Sequence, residues 1–344
     1  MNIKQNVSLK DFSGMKLGGQ VKYVCEFNSK SELIEIMSWV KKQGLRFLAI
    51  GQGNNVFWKD EGFDGVLIIN KTKGIEKSKL TNNEFSVTIS GGEDWDQVVG
   101  NLTKQGLSGI EYLSLIPGTS AAAPVQNIGA YGKELADVFT KLEAYDTKNG
   151  QIITINKSQC NFGYRTSRFK SVDKDRFIII NITLKLIKKS PTGPYYKALE
   201  EYFGKNHISD VSIETIRKAV IDIRKAKLPD PKINPNNGSF FANPIVAHDH
   251  FESIQKAHQN LVYWKLDDGN VKLSAGRLME IVGYKDKFDS FTGMSTWPKH
   301  TLTIVNKSAS STKDLLKFRD EIMGKVKNEF GITLKQEPEL LPYN

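Results

Sequence analysis

Two loops rich in glycine and small polar residues contain the groups best suited to binding a ligand. The first, GQGNNV, starts at Gly51 and follows a short apolar strand. It has two of the three glycines of a dinucleotide fingerprint, but Val56 replaces the third and no helical pattern follows. The loop is therefore a turn between strands, whose backbone N–H groups either bind an anion such as a pyrophosphate or serve only to reverse the chain.

The second loop, IPGTSAAAPVQNIGAYGKEL, covers residues 116–135 and is almost free of charge. Gly118 and Gly129 permit a positive φ or a close backbone approach, and Gln126 and Asn127 offer uncharged hydrogen-bonding groups. This combination suits a neutral heteroaromatic ring better than a metal ion. The alternative is a junction of small residues between a turn and a helix.

Hydrolytic and metal chemistry have little support. Ser239 lies in NGSFFA, which lacks the strand–turn–helix setting of a serine nucleophile. His248 and His250 stand two residues apart without a third ligand, so no metal site is predicted. No GxxxxGK motif occurs, which disfavours ATP chemistry.

Composition indicates a globular protein of two or three units that attracts anions. The chain has 344 residues and a net charge of +10, from 48 Lys and Arg against 38 Asp and Glu. Its two cysteines, Cys25 and Cys160, are far apart and suit a reducing compartment as buried thiols. No apolar run approaches the roughly 20 residues of a membrane span, and the first residues lack a signal-peptide pattern. A soluble cytoplasmic protein is expected.

The elements that must position the loops follow from periodicity and caps. Ser29 and Glu32 form a capping pattern before a predicted helix. Strand-like runs alternate with glycine-rich turns from about residue 66 to 188, with one helical pattern in DWDQVVGNLTKQG. A strong helical pattern in VSIETIRKAVIDIRKAKLPDP carries a basic stripe, which is either a solvated face or a polyanion-binding one. The stripe consists of Arg217, Lys218, Arg224 and Lys225.

Six segments together resemble one family. IGQGNNVFW, IPGTSAAAPVQNIGAYGKEL, FGYRTSRFK, KLPDPKINPNNGSFFANP, KLSAGRLMEIVG and GITLKQEPE appear in the order typical of the UDP-N-acetylenolpyruvoylglucosamine reductases, between about residues 48 and 339. The resemblance implies an α+β fold. A PCMH-type (vanillyl-alcohol-oxidase-like) FAD-binding domain of two subdomains is expected over residues 1–188. A connecting segment over 189–228 and an α+β substrate-binding domain over 229–344 complete the expected organisation.

The resemblance also implies the reaction and its partners. NADPH reduces FAD, and the reduced flavin passes hydride to the enolpyruvyl ether of a UDP-sugar, which yields UDP-N-acetylmuramate for peptidoglycan. The expected partners are that UDP-sugar and NADPH. Neither nucleic acid binding nor membrane insertion is expected, and a cytoplasmic monomer is predicted.

Three residues match the catalytic positions of the family. Arg165 corresponds to an arginine that can clamp a carboxylate with two hydrogen bonds. Glu337 corresponds to the glutamate that stabilises the enol-like intermediate, with Glu339 as a rival two residues on. Ser239 corresponds to the general acid, which needs a relay or a charged neighbour because a hydroxyl is a weak acid.

Further residues match binding positions. Those expected at the cofactor are Gly51, Gly53, Asn54, Asn55, Pro117, Gly118, Thr119, Gln126, Asn127, Gly129 and Ala130. Those expected at the substrate or at the NADPH phosphates are Tyr164, Tyr196, Lys227, Asn243, Lys272 and Lys285. Tyr195 is the alternative to Tyr196 as the residue that covers the substrate.

Two departures and two rival functions remain open. Ala121 adds a methyl group where the family commonly has glycine, so a shift of the flavin-side backbone is expected there. His300 replaces a common glutamine, which leaves that substrate contact open. An FAD oxidase with another substrate would keep the fold, because a fold does not fix a function. A basic binding module for nucleic acid or an anionic membrane is disfavoured, since the basic helix lacks aromatic residues that could stack.

Overall fold

The helices begin and end close to the residues that the sequence marks. The structure is a computed structural model and describes residues 2–343. The helices are α1 (Lys30–Lys42), α2 (Trp95–Lys104), α3 (Leu135–Val138), α4 (Lys197–Lys205), α5 (Ile213–Lys227), α6 (His248–Ala257), α7 (Ala275–Ile281) and α8 (Thr312–Phe330). Ser29 caps α1 by accepting a hydrogen bond from the Glu32 N–H at 3.2 Å, a contact that contributes about 1 kcal/mol. Within the described residues, none of these helices is long and apolar enough to cross a membrane.

The strands are short and form several small sheets. They are β1 (Ile3–Ser8), β2 (Gln20–Phe27), β3 (Phe47–Ile50), β4 (Val56–Trp58), β5 (Phe63–Asn70), β6 (Ile75–Lys79), β7 (Glu84–Ser90), β8 (Gly129–Ala130), β9 (Lys133–Glu134), β10 (Phe139–Asp146), β11 (Gln151–Asn156), β12 (Phe177–Ile187), β13 (Asn236–Ser239), β14 (Ile245–Val246), β15 (Tyr263–Lys265), β16 (Val271–Leu273), β17 (Phe288–Asp289), β18 (Met294–Trp297), β19 (His300–Asn306) and β20 (Glu339–Leu341). This mixture of helices and separate sheets confirms the predicted α+β class.

The chain divides into two units that are not continuous in sequence. Unit 1 consists of the residues up to Val7, Val21–Gln52 and Asp64–Ala226. Unit 2 consists of Ser8–Gln20, Gly53–Phe63 and the residues from Lys227 onward. The expected linear division placed residues 8–20 and 53–63 in the N-terminal domain, whereas both segments lie in unit 2. Their apolar side chains explain the difference, because Met15, Leu17 and Phe57 are fully buried in the core of unit 2.

Unit 1 contains two α+β layers and a helical pair. One sheet has the order β1-β2-β5-β3, and α1 packs its buried face against the core formed with that sheet. The other sheet has the order β11-β10-β12-β7-β6 and encloses a second core with α2. The expected connecting segment also belongs to this unit, because Leu199 and Phe203 of α4 and Ile216 and Val220 of α5 form a third core with Tyr112.

Unit 2 is built on the sheet β13-β19-β18-β17. Helices α7 and α8 contribute Leu278, Phe318 and Ile322 to its core. A smaller sheet, β14-β16-β15, lies at the margin, and β20 pairs in parallel with β4. This last pair fastens the end of the described chain to residues 56–58.

The two cysteines confirm the sequence interpretation. Cys25 and Cys160 are free thiols with no exposed surface. Burial raises the pKa of each thiol to about 11. Both thiols therefore stay protonated near neutral pH and act as small apolar core groups.

The basic stripe on α5 is neither a solvated face nor a continuous cationic surface. Arg217 binds Asp96 with an N–O distance of 2.7 Å, and Lys218 binds Asp222, also at 2.7 Å. Lys225 is exposed, whereas the Nε atom of Arg224 is sealed from solvent. The four side chains thus have separate surroundings, which the sequence pattern alone does not distinguish.

Candidate active site

In unit 1 the second glycine-rich loop is fixed to the N-terminus of α2. The carbonyl of Gly118 accepts a hydrogen bond from the Trp95 N–H at 3.0 Å, and Thr119 forms a β-bridge with Asp94. Gly51 from the first loop lies directly against Thr119, since a Cβ atom built on Gly51 would stand 2.8 Å from Thr119 Oγ1. The structure therefore brings these parts of the two predicted loops into contact.

The second loop has the features of a surface against which a flat ligand can lie. Gly118 has a φ of +136°, and a Cβ built there would meet nothing within 4 Å. Only glycine adopts this conformation readily. The backbone at Gly118 therefore carries no side chain at a point where there is open space beside it. Ser120 is fully buried, and its hydroxyl has no hydrogen-bond partner among residues 2–343. These observations fit FAD, whose ring would lie on the loop and supply polar partners.

Ala121 does not place its methyl group in that open space. A Cβ built on Gly91 would stand 2.8 Å from the Ala121 Cβ, and the Ala121 N–H donates to the Gly91 carbonyl at 3.0 Å. The methyl group packs against the adjoining core. The absence of a side chain at Gly91 thus accommodates the extra methyl, at the position where a backbone shift was expected.

Arg165 occupies a tight turn beside the same loop. Gly163 and Thr166 exchange two backbone hydrogen bonds, at 3.1 and 3.2 Å, so Tyr164 and Arg165 are the central residues of the turn. Arg165 has a φ of 55°, a conformation that favours glycine in this type of turn. Its Nη2 donates to the Gly129 carbonyl at 2.8 Å. A non-glycine residue held in this conformation is often functional.

Asn127 connects the loop to that turn. Its Nδ2 donates to Glu134 Oε2 at 2.6 Å and to the Gly163 carbonyl at 3.2 Å, and its Oδ1 accepts from the Ala136 N–H at 2.9 Å. The amide of this side chain, which was expected at the cofactor, therefore forms its hydrogen bonds with other groups of the protein. The neighbouring Gly129 lies in β8 and pairs with Glu134 in β9.

The aromatic residues near the loop distinguish Tyr196 from Tyr195. Tyr196 is 46% exposed and packs edge-on against Tyr131, with ring centroids 5.9 Å apart. Tyr195 instead packs against Phe203 and donates its hydroxyl to the Pro191 carbonyl at 3.1 Å. Of the two, Tyr196 is the one available to cover a ligand.

In unit 2 the rest of the first loop is joined to the serine strand. Gly53 has a φ of +76°, and a Cβ there would stand 2.1 Å from the Phe12 carbonyl oxygen, so only glycine fits. Asn237 Nδ2 donates to the carbonyls of Asn54 and Val56, at 2.9 and 3.0 Å. The sequence analysis did not predict this contact of Asn237 with the first loop. The sequence indicates it only through the position of Asn237, two residues before Ser239.

Ser239 and Glu337 lie on neighbouring segments of unit 2. Ser239 ends β13 opposite Thr303 of β19, and Gly238 before it is left-handed with open space around its α-carbon. The Glu337 N–H donates to the carbonyl of Phe240 at 2.9 Å. The structure therefore brings two of the three predicted catalytic residues to adjacent segments of the chain, and both are half-buried.

Glu339 has a different setting. It starts β20, its N–H donates to the Asn55 carbonyl at 2.9 Å, and its carboxylate accepts from the Tyr343 hydroxyl at 2.6 Å. Asn55 Nδ2 also reaches the Glu337 carbonyl at 3.5 Å. Glu339 thus helps to anchor the loop, whereas Glu337 adjoins the serine strand.

The predicted phosphate-binding residues of unit 2 are spread over its surface. Lys227 and Lys285 are exposed, and the Lys272 ammonium lies 5.5 Å from the centre of the Trp264 ring. Asn243 Oδ1 accepts from the Ala275 N–H at 3.0 Å and so holds the start of α7. Lys227 and Lys285 thus face solvent, whereas Asn243 has a structural contact.

His300 lies on β19 near the serine. Its Nδ1 is 3.1 Å from the Thr303 hydroxyl, and Thr303 is the cross-strand neighbour of Ser239. The histidine that replaces the common glutamine thus contacts Thr303, which in turn lies opposite Ser239, the predicted general acid.

Comparisons with known proteins agree with this architecture. Residues 21–156 match the family model described as FAD binding domain. Residues 230–341 match the UDP-N-acetylenolpyruvoylglucosamine reductase C-terminal domain. Together with the bare loop in unit 1, the first match defines the class of protein, an FAD-dependent oxidoreductase.

Full-length relatives give the family. A UDP-N-acetylenolpyruvoylglucosamine reductase of Amoebophilus asiaticus is 35% identical over 342 residues, covering 99% of this chain and 100% of that protein. The reductase of Paraburkholderia phytofirmans is 34% identical over 324 residues, covering 94% and 93%. The chain belongs to the UDP-N-acetylenolpyruvoylglucosamine reductase family. The crystal structure of the Thermus caldophilus reductase shares the fold, with a TM-score of 0.67 at 21% identity over 99% of this chain and all of the other.

Proposed function

We propose that this protein reduces the enolpyruvyl group of UDP-N-acetylglucosamine enolpyruvate to give UDP-N-acetylmuramate for peptidoglycan. We also propose that it acts as a monomer in the cytoplasm. The family membership supports the reaction, and the observation that carries it is the adjacency of Ser239 and Glu337 in unit 2. The net charge of +10 suits ligands that are all anionic.

The overall reaction transfers a hydride and a proton. NADPH loses a hydride and becomes NADP⁺, while the vinyl CH₂ carbon gains that hydride and becomes a methyl group. The neighbouring carbon gains a proton, which completes the lactyl ether. When bound, FAD carries the hydride between the two reactants.

The residues of the chain supply charge, position and the proton. Addition at the vinyl carbon leaves negative charge on the next carbon and its carboxylate, and fixed positive charge stabilises it. The Arg165 guanidinium is suited to that carboxylate, since its planar fork forms two parallel hydrogen bonds. Glu337, when protonated, donates a hydrogen bond to the enol-like oxygen. Ser239 delivers the proton to carbon, and Tyr196 excludes water from above.

The purified protein tests this proposal directly. It is expected to bind FAD, shown by a flavin absorption spectrum, and to consume NADPH in step with the enolpyruvyl substrate. A protein that takes up no FAD would contradict the proposal. Consumption of oxygen without need for NADPH would instead favour the rival oxidase.

Ser239→Ala tests the proton step separately. NADPH should still bleach the flavin of this variant at the wild-type rate, because that half of the reaction needs no proton from Ser239. Reoxidation by the enolpyruvyl substrate should slow by about 10²–10⁴-fold, the usual contribution of a general acid. Stopped-flow absorbance measures both halves. Near-normal reoxidation would exclude Ser239 as the proton donor.

A further inference from the structure

Strand β13 carries Ser239 at the end of an irregular stretch of backbone. Asn236 lies opposite Val305 and Ser239 lies opposite Thr303. The two residues between them on β13 therefore stand opposite a single residue of β19. This is a β-bulge, which interrupts the ladder and changes the direction of the side chains beside it. The direction of the Ser239 side chain thus depends on what holds the bulge in place.

The first residue of the bulge, Asn237, is held by its side chain. Its Nδ2 donates to the carbonyls of Asn54 and Val56 in the first loop, at 2.9 and 3.0 Å. The residue is 6% exposed, and its Oδ1 has no hydrogen-bond partner among residues 2–343. A buried acceptor without a partner is unfavourable. The side chain keeps this oxygen buried while its NH₂ group joins the bulge to the loop.

The first loop is the firmly anchored side of this contact. The Gly14 N–H donates to the carbonyl of Gly53 at 3.0 Å, and the Glu339 N–H donates to the carbonyl of Asn55 at 2.9 Å. The loop thus has anchors that do not involve Asn237. Removal of the Asn237 amide should therefore leave the loop in place.

The second residue of the bulge, Gly238, has weaker restraints. Its N–H donates to Asn236 Oδ1 at 2.8 Å, a bond that stays within β13. It has a φ of +73°, and a Cβ built there would meet nothing within 4 Å. Glycine with open space beside it can turn readily. The Asn237 side chain is therefore the contact that transmits the position of the loop to Ser239.

We propose that Asn237 is a positioning residue, which fixes the bulge to the first loop so that the Ser239 hydroxyl points at the carbon that receives the proton. This inference rests on the proposed function. In that step the O–H bond of Ser239 breaks while a C–H bond forms at the carbon next to the carboxylate, and water returns a proton to the serine oxygen. Because Asn237 acts through Ser239, its effect is confined to the half-reaction that needs the proton.

Asn237→Ala tests the inference by stopped-flow absorbance on FAD-loaded protein. Reoxidation by the enolpyruvyl substrate should slow by about tenfold or more, while reduction by NADPH should stay within about threefold of wild type. The ratio of the reoxidation rates in H₂O and D₂O should rise, since a misdirected hydroxyl makes proton transfer limiting. Unchanged reoxidation would overturn the inference, and so would an equal loss in both half-reactions.

The double variant Asn237→Ala/Ser239→Ala shows whether the amide acts through the serine. Changes that act through one group are not additive, so the double variant should reoxidise as fast as Ser239→Ala alone. Losses that multiply would overturn the inference. Near-normal reoxidation in Ser239→Ala alone would instead contradict the proposed proton step, on which the inference rests.

Asn306→Ala is the matched control. Asn306 is another buried asparagine of unit 2, 8% exposed, and its Nδ2 donates to the carbonyls of Met15 and Ala309, at 3.0 and 3.3 Å. Its loss should lower the free energy of unfolding as Asn237→Ala does, but leave reoxidation unchanged. A loss of reoxidation in Asn306→Ala equal to that in Asn237→Ala would overturn the inference.

Hydrogen exchange gives a measurement that does not depend on activity. In FAD-loaded protein without substrate, the amides of residues 237–240 should exchange about tenfold faster or more in Asn237→Ala than in wild type. In Asn306→Ala they should exchange close to the wild-type rate. Equal exchange in Asn237→Ala and wild type would overturn the inference.

If Asn237→Ala does not fold, Asn237→Asp is measured in its place. The introduced carboxyl has nearly the same shape, and while protonated it donates one hydrogen bond to the loop carbonyls. Once ionised it repels them. Reoxidation relative to wild type at the same pH should therefore decline as the pH rises through the pKa of this carboxyl. A pH profile equal to that of wild type would overturn the inference.

Discussion

Arg165 combines a binding side chain with an unfavourable backbone. A left-handed conformation costs a non-glycine residue about 1–2 kcal/mol, and Arg165 has a φ of 55°. The hydrogen bonds across the turn between Gly163 and Thr166 hold it there. Glycine would suit the turn better, so the presence of arginine indicates that its guanidinium is required at this point.

Replacement of Arg165 by glycine should separate stability from activity. The free energy of unfolding of Arg165→Gly is expected to stay within about 1 kcal/mol of wild type, since relief of strain offsets the lost bond to Gly129. Flavin reoxidation by the substrate should fall by about 10²–10³-fold. Urea unfolding and stopped-flow absorbance give the two quantities. His207→Gly, at another exposed left-handed position, should leave reoxidation unchanged, and a similar loss there would refute the assignment.

Glu337 and Glu339 should respond differently to the same change. Glu337→Gln replaces the proposed carboxylic acid donor beside the serine strand by a weaker amide donor and should slow reoxidation by about 10²-fold or more. Glu339→Gln keeps a hydrogen-bond acceptor for Tyr343, so its effect on that rate should be less than about threefold. Steady-state kcat and single-turnover reoxidation distinguish them. The reverse order would make Glu339 the catalytic carboxylate.

At the scale of elements, local signals located the helices better than the site. The cap at Ser29 and the apolar period of α5 are local, so the sequence pattern predicts the helices that they start or stabilise. The Nε atom of Arg224 is sealed from solvent by tertiary packing, which periodicity does not report. The contact of Asn237 with the first loop joins residues 183 apart. Such contacts are beyond any local pattern.

The join between β10 and β12 gives a pH-dependent prediction. Arg176 binds Asp146 through two hydrogen bonds, at 3.0 and 2.8 Å, and the Asp146 side chain is 1% exposed. Arg176 lowers the pKa of Asp146 below its ordinary value of 3.8. A lowered carboxyl pKa means that the pair stabilises the fold above that value and that this contribution is lost as the pH falls through the folded pKa.

Arg176→Met should therefore destabilise the protein most at neutral pH. A loss of about 3 kcal/mol in the free energy of unfolding is expected there, because the variant leaves a buried carboxylate without its partner. The difference from wild type should shrink as the pH drops below the ordinary pKa. Urea unfolding between about pH 3 and pH 7 measures it. Lys185→Met, which breaks an exposed pair with Glu84, should cost less than about 1 kcal/mol, and a pH-independent loss in Arg176→Met would contradict the assignment.

At the scale of the whole molecule, the two units do not correspond to two pieces of chain. Residues 8–20 and 53–63 supply unit 2 with buried apolar side chains and with carbonyl groups that bind Asn237 and Asn306. A fragment from residue 227 onward lacks these groups. Its core would be incomplete and its buried amides unpaired.

The fragment of residues 227–344 is therefore expected not to fold when made alone. Its circular dichroism and amide NMR dispersion should be those of a poorly ordered chain. The control is the full chain cleaved after folding at a protease site inserted near Asp230, an exposed position, which should keep a cooperative unfolding transition. Cooperative unfolding of the isolated fragment would show that residues 8–20 and 53–63 are dispensable for unit 2.

The parallel pairing of β4 with β20 has a consequence for biosynthesis. Asn55 and Glu337, at the start of this contact, are 282 residues apart. At about 5–20 residues per second, the ribosome needs about 14–56 s to add that length. During this time β4 lacks its strand partner β20. Its residues Phe57 and Trp58, which are buried in the folded protein, are then not covered by that strand. The growing chain therefore presents an apolar segment that a chaperone can bind until residues 339–341 have been made and have paired with it.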